Sequence, residues 1–514
     1  MRVIYFPPGN YVFNSSIHVA SNTIIRGESP LTTKFIFDLG GANSPCFETP
    51  IWKWGDYTDV TNGASKDSKS ITVADASSFI VGQWLEIEED NNADLMYTSS
   101  DWDVSYAQYA KGQFVRVTAI NNNTITLDRP LYETYNTNQH IRARKGELAE
   151  NIGFENFSIT RPNTGDSYFF YLKNVANVWL RGIDGYRTNK AFVQTERAVN
   201  YEIRGCYFER SYDYGGGGHG YGVSVGYHSC DGLIENNIFN RLRHHMIIAK
   251  GAAGNVFGYN YSFDRVQGSD TNNLNDGWIP PDISIHGHWS YMNLFEGNIS
   301  QEIHSADFWG PSGRGTTFFR NRLEAAEGIT IDDASVDQNV VGNELLLGGI
   351  DIDETVTGTF VHGNNLNGTI TWSGTSQLLE DSYYLNEKPS WWNTGQWPSI
   401  GPEFDINSGS NPAKDRRDNG MKAIAYDAMC SITDTRKTAA SILHISPNPF
   451  ESSFVITAAT SDKVHVEVYS AKGQLMLATD FYDSISLGDS FDSGVYFVRI
   501  ASENASSRVY KLVK

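Results

Sequence analysis

Basic residues are scarce in this 514-residue chain, which holds 40 Lys and Arg against 60 Asp and Glu for a formal net charge of −20. A chain of this sign repels a phosphate backbone, so nucleic acid is not expected as a partner. Cysteine is also rare, and the four scattered residues form neither a disulfide framework nor a metal-ligand spacing. No apolar run approaches the roughly 20 residues that a membrane-spanning helix needs, so no transmembrane segment is predicted.

A repeat runs instead from Gly232 to Gly368, where an apolar pair is followed by a polar turn and an Asn. The intervals between these Asn residues are 23, 38, 23, 22 and 21 residues. A period near 22 with short apolar runs predicts stacked coils, and a buried Asn at each bend can hydrogen-bond the Asn of the next coil. We therefore predict an all-β right-handed parallel β-helix. The repeated positions are Asn237, Asn260, Asn298, Asn321, Asn343 and Asn364.

Two long intervals interrupt this period. One insertion carries SYDYGGGGHGYG at 211–222 and the other VQGSDTNNLNDGWIPPD at 266–282. Insertions in a solenoid form loops over one face, commonly the binding face. The two insertions therefore predict a cleft with walls.

The remaining segments suggest three domains. Residues 1–405 form the predicted β-helix, within which 65–130 alternates apolar and polar residues like antiparallel hairpins and is expected to be an inserted β-subdomain. Residues 406–441 have the composition of a linker, and 442–514 are expected to form a C-terminal β-sandwich.

Two stretches resemble known families. VIYFPPGNYVF at 3–13 resembles the opening coil of the pectate-lyase-like superfamily. SPNPF at 446–450, the strand Gly494–Val498 and the basic end at Lys511 and Lys514 resemble the sorting domain of type IX secretion. This second resemblance implies export to the cell surface or medium by the type IX machinery. Because no signal peptide is visible, the N-terminus is expected to be truncated.

One face of the predicted helix collects candidate catalytic groups. If the aliphatic pairs of each coil point inward, alternate residues point outward. The resulting outward column reads Gly226, Ala249, His286, Trp309, Asp332 and Asp353, and the neighbouring column reads Ser224, Ile247, Ser284, Asp307, Thr330 and Asp351.

Asp307 and Asp332 are diagonal neighbours in this register, at roughly 7–8 Å. That separation suits an inverting glycoside hydrolase, which places a water between its acid and its base. Asp307 and Asp332 are thus the predicted acid/base pair, with His286 orienting them. Lys250 and Trp309 are expected to hold a polysaccharide substrate.

GHGYGVSVG at 218–226 resembles the Gly-His-Gly segment of polygalacturonase-type hydrolases, and IIAK, ending at Lys250, is similar to their Arg-Ile-Lys substrate clamp. The resemblance implies that His219 supports the carboxylates and that Lys250 binds substrate. The chain departs from that pattern, because no Asn-Thr-Asp or Asp-Asp precedes His219 in the coils.

A polysaccharide lyase is the alternative, with Lys250 or His286 as the base for β-elimination from a uronate. A Lys in this strand position resembles the base of several β-helix lyases. No cofactor is required, although Ca2+ on Asp270, Asp276 and Asp282 is an option for a lyase. No zinc site is predicted, since His244–His245 and His286-x-His288 lack a third ligand.

Aromatic rings near the insertions offer flat faces for sugar stacking. A non-catalytic carbohydrate-binding surface protein therefore remains a third alternative. The full set of predicted substrate-binding residues is His219, Tyr227, Trp278, His288, Trp289, Trp309, Arg314 and Asp333.

Overall fold

The computed structural model describes residues 1–49, 54–98, 107–269, 279–306, 309–393, 395–425, 443–446, 450–458, 463–470, 474–502 and 505–514. The chain divides into two compact units, Met1–Ile432 and Thr433–Lys514. None of the helices in these ranges is long and apolar enough to cross a membrane.

The first unit is a parallel β-solenoid of about 15 turns, as the repeat predicts. Its 27-stranded sheet is parallel except for the last strand, which turns back on its predecessor. Its strands are Arg2–Phe6, Gly9–Phe13, Ile17–His18, Thr23–Gly27, Thr33–Phe37, Phe47–Glu48, Ala149–Thr160, Phe170–Thr188, Ala191–Arg204, Tyr207–Ser211, Tyr221–Gly226, Leu233–Glu235, Ile238–Asn240, His244–Ile248, Val256–Gly258, Tyr261–Phe263, Ile283–Ile285, Leu294–Glu296, Ile299–Ser305, Thr317–Phe319, Arg322–Ile331, Asn339–Val341, Glu344–Leu345, Ile350–Ile352, Phe360–His362, Asn364–Leu366 and Thr369–Thr371.

Buried asparagines join the coils, as predicted. The Nδ2 of Asn237 donates to the Oδ1 of Asn260 at 3.0 Å, and Asn260 donates to Asn298 at the same distance. The ladder continues through Asn321 and Asn343 to Asn364. Each rung also gives its other Nδ2 hydrogen to a carbonyl of the preceding coil, as Asn298 does to Phe257 at 2.8 Å. The side chains thereby satisfy backbone groups that the bends would leave buried and unpaired.

The insertion after the first coils is a closed six-stranded barrel, larger than the predicted 65–130. A short helix, Ala93–Met96, and a 3-10 turn, Thr137–Gln139, lie between its strands. The barrel has its own apolar core around Leu85, Val115 and Ile125. Its strands are Thr58–Asn62, Ser70–Val73, Trp84–Glu88, Gly112–Asn121, Thr124–Leu127 and Arg142–Gly146.

The barrel packs on the side of the solenoid through buried polar contacts. The indole of Trp289 donates to Glu133 at 3.2 Å, and the hydroxyl of Tyr291 donates to the carbonyl of Gly112 at 2.8 Å. Asp231 accepts hydrogen bonds from Arg129 and Tyr132 of the barrel. The inserted barrel thus covers part of one side of the solenoid.

The chain after the last coil runs back along the solenoid. Tyr384 donates to Glu235 at 2.8 Å, and the helix Pro412–Asp418 buries Arg416, which donates to Asn236 at 2.7 Å. The Nδ2 of Asn411 donates to the carbonyl of Asn260 at 3.0 Å. The prediction of a linker from 406 onward is therefore wrong for the described part of that segment, up to residue 425, because its polar side chains bond to the coils.

The second unit contains two antiparallel sheets around an apolar core that includes Phe454, Val466 and Val498. Its strands are Leu443–Ser446, Phe454–Ala458, Val464–Ser470, Leu475–Phe481, Ser484–Leu487, Val495–Ser502 and Ala505–Val513. These sheets are compatible with the predicted sorting domain.

Candidate active site

A cavity of about 690 Å3 opens on one face of the solenoid. Its floor consists of outward residues of successive strands, in which Gln194 pairs with Ser224 and Ser224 with Ile247. Glu196 lies on the same floor, opposite Gly226 in the register. Side chains of adjacent coils thus meet in this cavity at the spacing of neighbouring strands, about 4.8 Å.

One end of the cavity is made by three successive turns that carry Lys250, His288 and Trp309. The backbone N–H of Gly251 donates to the carbonyl of His288 at 2.8 Å, and the backbone N–H of His288 donates to the carbonyl of Trp309 at 2.8 Å. The His288 ring stacks on the Trp309 ring with centroids 5.6 Å apart. Backbone bonds and ring contacts therefore fix this end as one unit.

The other end is built from the first insertion. Gly216, Gly217 and Gly218 line it together with Arg243, whose guanidinium donates to the carbonyl of Gly215. The two insertions pair here, as Asp213–Tyr214 and Gly268–Ser269 form a two-stranded antiparallel sheet. The insertions thus meet beside the coils that carry the cavity.

Burial changes the acid–base properties of this site. It lowers the pKa of Lys250, and the nearby charge of Lys173 acts in the same direction while Glu196 opposes it. Burial, with His286 and Lys250 close by, lowers the pKa of His288 to about 3, so its imidazole is neutral near pH 7. Glu196 is paired with Lys173 at 3.1 Å and accepts a hydrogen bond from Tyr171 at 3.1 Å.

The structure brings four predicted residues to the cavity: Lys250, His286, His288 and Trp309. Asp307 and Trp278 lie outside the described residues. Asp332 does not line the cavity and accepts a hydrogen bond from His304 at 2.8 Å.

The predicted register is wrong at one coil. Its strand is Ile299–Ser305, so the residue aligned with Ser284 and Thr330 is His304 and not Asp307. Ala306, whose N–H donates to Ile285, takes the place expected for Trp309. The prediction failed because residues 306–310 show the same alternation of apolar residues as the true strand. In the true strand an inward position is occupied by a polar residue, Ser305, whose hydroxyl donates to that of Ser312 at 3.0 Å.

The other predicted binding residues lie elsewhere. His219 contacts Asp166 at 2.8 Å beside the glycine loop, and the Tyr227 ring packs on Arg197. Trp289 is 1 % exposed and lines, with Arg314, a cavity other than this one. Arg314 and Asp333 complete the set. Arg314 lines a second cavity of about 310 Å3 near the barrel, and Asp333 occupies a left-handed turn with φ of 53°.

Sequence reasoning missed several residues that line the cavity. Gln194 and Glu196 occupy alternate positions of the strand before the first insertion, and the outward column continued back by one coil reaches both. Tyr221 and His244 are the first residues of their strands, and the others come from turns and loops, for which no periodicity exists. The missed lining residues include Tyr168, Lys190, Gln194, Glu196, Tyr221, Arg243 and His244.

Two candidate metal-ligand groups fit a cation poorly. Asp282 is buried and already accepts hydrogen bonds from Ser262 and from two backbone N–H groups, while Asp270 and Asp276 lie outside the described residues. Buried Glu86, Glu88 and His228 have ligand atoms within 4.8 Å of one another. Three guanidinium groups bind these carboxylates, however, so a divalent cation there would meet three positive charges. They belong to Arg142, Arg144 and Arg197.

Comparisons with known proteins agree with the two-unit architecture. Residues 444–514 match the family described as the secretion system C-terminal sorting domain. The tailspike of Pseudomonas phage phi297 is 12 % identical with a TM-score of 0.51, and the match covers 99 % of this chain and 90 % of that one. This likeness shows the parallel β-helix fold.

Two other solved structures are less similar. The tailspike of Acinetobacter baumannii bacteriophage AP22, solved with a capsular saccharide, is 14 % identical over 71 % of this chain and 70 % of that one, with a TM-score of 0.45. A Bacillus subtilis pectate lyase variant is 13 % identical over 54 % of this chain and 69 % of that one, with a TM-score of 0.24. No curated protein matches the chain.

Proposed function

We propose that the protein is an exported polysaccharide lyase that cleaves a uronate-containing polymer by β-elimination, with Lys250 as the base. The observation that carries this proposal is a half-buried lysine of lowered pKa at the end of an open cavity on the solenoid face. A lysine becomes a base only when its amine is neutral, and burial favours the neutral amine.

The chemistry needs few groups. The Lys250 amine takes the proton from C5 of the uronate, the C–H electrons form the C4–C5 double bond, and the C4–O bond breaks. The same ammonium group then returns the proton to the leaving oxygen. His286, one coil further along and in ring contact with Trp309, is the proposed hydrogen-bond donor to the substrate carboxylate, which gains charge as C5 loses its proton.

The far end of the cavity suits a neighbouring sugar. Arg243 and Lys250 lie seven positions apart on one coil, which corresponds to roughly 20 Å of extended chain. Arg243 and Lys190 line the end opposite Lys250, where Lys190 is paired with Asp166 at 3.2 Å and Arg243 adds a further positive charge. A polymer with repeated carboxylates would therefore meet positive charge at the end opposite the base.

A glycoside hydrolase with two catalytic carboxylates is less well supported. Among the described lining residues Glu196 is the one carboxylate, and it is engaged by Lys173 and Tyr171. Asp332 bonds to His304 and does not line the cavity. The hydrolase proposal therefore depends on Asp307, whose position is outside the described residues.

The sorting domain at 444–514 supports export. Together with the resemblance of this segment to type IX sorting domains, it supports a location at the cell surface or in the medium. A polysaccharide too large to enter a cell would be accessible there.

Product analysis over a panel of uronate-containing and neutral polysaccharides tests the proposal. We expect new reducing ends together with the ultraviolet absorbance of a C4–C5 double bond. New ends without that absorbance would indicate a hydrolase, and no new ends a binding protein. Chelation before the assay would show whether Ca2+ is needed.

Variants then test the residue assignment. Lys250→Ala should lower the turnover rate by about 10²–10⁴-fold, because proton transfer is lost. Lys173→Ala removes a neighbouring amine that does not line the cavity and acts on Lys250 only through its charge, so it should lower the turnover rate less than about tenfold. A variant Asp332→Asn that is dead beside an active Lys250→Ala would refute the lyase assignment.

A further inference from the structure

A buried ion pair joins the barrel to the solenoid directly beneath the turn that carries Lys250. His228, fully buried, lies on the solenoid, and its Nδ1 donates to the Oε1 of Glu86 on the barrel at 2.8 Å. Its Nε2 donates to the backbone carbonyl of Tyr109 at 2.6 Å. Both partners of this imidazole therefore come from the inserted subdomain.

The hydrogen bonds define the charge of this pair. A carbonyl and a carboxylate are both acceptors, so His228 can bond to both only when each ring nitrogen carries a hydrogen. Burial by itself would raise the pKa of Glu86, but Arg197, His228 and Arg144 outweigh it and lower that pKa. Arg197 and Arg144 donate to this carboxylate at 2.8 and 2.6 Å. The pair is thus an imidazolium and a carboxylate, and breaking it would leave a buried charge without its partner.

The same histidine bonds to the backbone of the Lys250 turn. The backbone N–H of His228 donates to the backbone carbonyl of Lys250 at 3.2 Å. Lys250 and Gly251 both have left-handed backbones, with φ of 55° and 65°. A Cβ added at Gly251 would lie 1.4 Å from the carbonyl oxygen of Ala110, so the barrel rests directly on this turn. A left-handed lysine is strained and persists only when its surroundings hold it.

We propose that His228 and Glu86 are positioning residues, through which the inserted barrel holds the Lys250 turn and keeps the Lys250 amine in the cavity. This inference rests on the proposed function for its effect on catalysis. The geometric part of it, the coupling between His228 and the environment of Lys250, is independent of the reaction.

The test compares His228→Gln with Asp231→Asn. Glutamine can still donate to the Tyr109 carbonyl but turns its own oxygen toward Glu86, so the ion pair is lost. Asp231→Asn weakens another barrel contact, with Arg129 and Tyr132, without replacing a group bonded to Lys250. Both variants are expected to lower the melting temperature of the full chain, and Glu86→Gln, which keeps the size of the side chain and one acceptor oxygen, serves as a second variant of the same contact should His228→Gln fail to fold.

The decisive readout is the pH dependence of acetylation of the Lys250 amine, measured by peptide mass spectrometry on folded protein without substrate. In His228→Gln and Glu86→Gln the labelling curve should move toward that of an exposed lysine, while Asp231→Asn keeps the wild-type curve. With substrate, the first two should lose about 10²-fold in kcat with little change in KM, as a misplaced base would.

An unchanged labelling curve in Glu86→Gln or folded His228→Gln, or an equal shift in Asp231→Asn, would overturn the positioning role. A shifted curve beside a fully active Lys250→Ala would instead refute the lyase mechanism and leave the positioning role standing. The two failures are therefore distinguishable.

Discussion

The Asn ladder yields a stability prediction that can be worked out from its bonds. Asn298 is fully buried, and its side chain makes four hydrogen bonds: to Phe257 O at 2.8 Å, to Asn321 Oδ1 at 2.9 Å, and from the N–H and Nδ2 of Asn260 at 3.0 Å each. In Asn298→Ala, Asn321 Oδ1 keeps the bond from the backbone N–H of residue 298, and Asn260 Nδ2 keeps its bond to Ile234.

Two buried backbone groups then lose the partner that Asn298 supplied, the Asn260 N–H and the Phe257 carbonyl. The Asn260 N–H is left unsatisfied, at about 1–3 kcal/mol, whereas the parallel register of Phe257 with Phe295 leaves the Phe257 carbonyl its ladder bond, so the substitution should cost roughly 2–4 kcal/mol. Asn339→Ala is a matched control, because the half-buried Asn339 side chain makes one bond, to Thr317 at 3.1 Å. It should cost no more than about 1 kcal/mol.

Hydrogen exchange is the assay of choice, since a solenoid can open locally and a single unfolding free energy is then poorly defined. Amides of the 256–263 segment should exchange about 10²-fold faster in Asn298→Ala if the local cost is about 3 kcal/mol. Equal exchange in the Asn298→Ala and Asn339→Ala proteins would refute the idea that the ladder stabilises the coils.

Three further predictions concern other parts of the chain. Gly251→Ala should destabilise the fold by more than about 2 kcal/mol because its Cβ meets the Ala110 carbonyl, whereas Gly82→Ala, also left-handed but with nothing within 4 Å, should cost only about 1–2 kcal/mol in thermal unfolding. Burial lowers the pKa of His245 from 6.5 to about 3, so the neutral imidazole stabilises the folded state fully above pH 6.5. This stabilisation is lost as the pH falls toward 3, by up to about 1.4 kcal/mol per pH unit, and His245→Met should reduce this pH dependence of the unfolding free energy in urea titrations. Deleting residues 442–514 should leave the activity and the melting transition of the solenoid unchanged, and loss of either would show a structural role for that segment.

The fold could be predicted because the same residue type, a buried Asn, recurs at a nearly constant interval. Each coil from Asn237 to Asn364 has a buried amide at the same bend, so Asn recurs where the backbone pairing uses it, and the interval of 38 residues marks the insertion between Asn260 and Asn298. The site could be predicted only where a strand kept this register, as at Lys250 and His286. The site prediction failed at 303–305, where Ser305 occupies an inward position expected to hold an aliphatic residue and its hydroxyl donates to that of Ser312.

Contacts between distant segments were not predictable from the chain. Glu86 and His228 are 142 residues apart, and neither has a periodic neighbour that would indicate the other. From the sequence alone, Glu86 is one acidic residue of an alternating strand, and His228 is one polar residue of a turn. Only the folding of the barrel onto the solenoid shows that a carboxylate of the insertion meets the imidazole beneath Lys250.

The charge of the whole chain and the charge of the cavity lead to different expectations, and the cavity is the better guide to substrate. A net charge of −20 disfavours polyanions in general, but the Debye length is only about 8 Å at physiological ionic strength, so distant surface carboxylates are largely screened. Besides the proposed base Lys250, the charged residues described in the cavity are Arg243, Lys190, which pairs with Asp166 at 3.2 Å, and Glu196, which pairs with Lys173 at 3.1 Å. Within screening distance the two ion pairs are neutral and Arg243 makes the local charge positive, which suits a carboxylated sugar better than a neutral one.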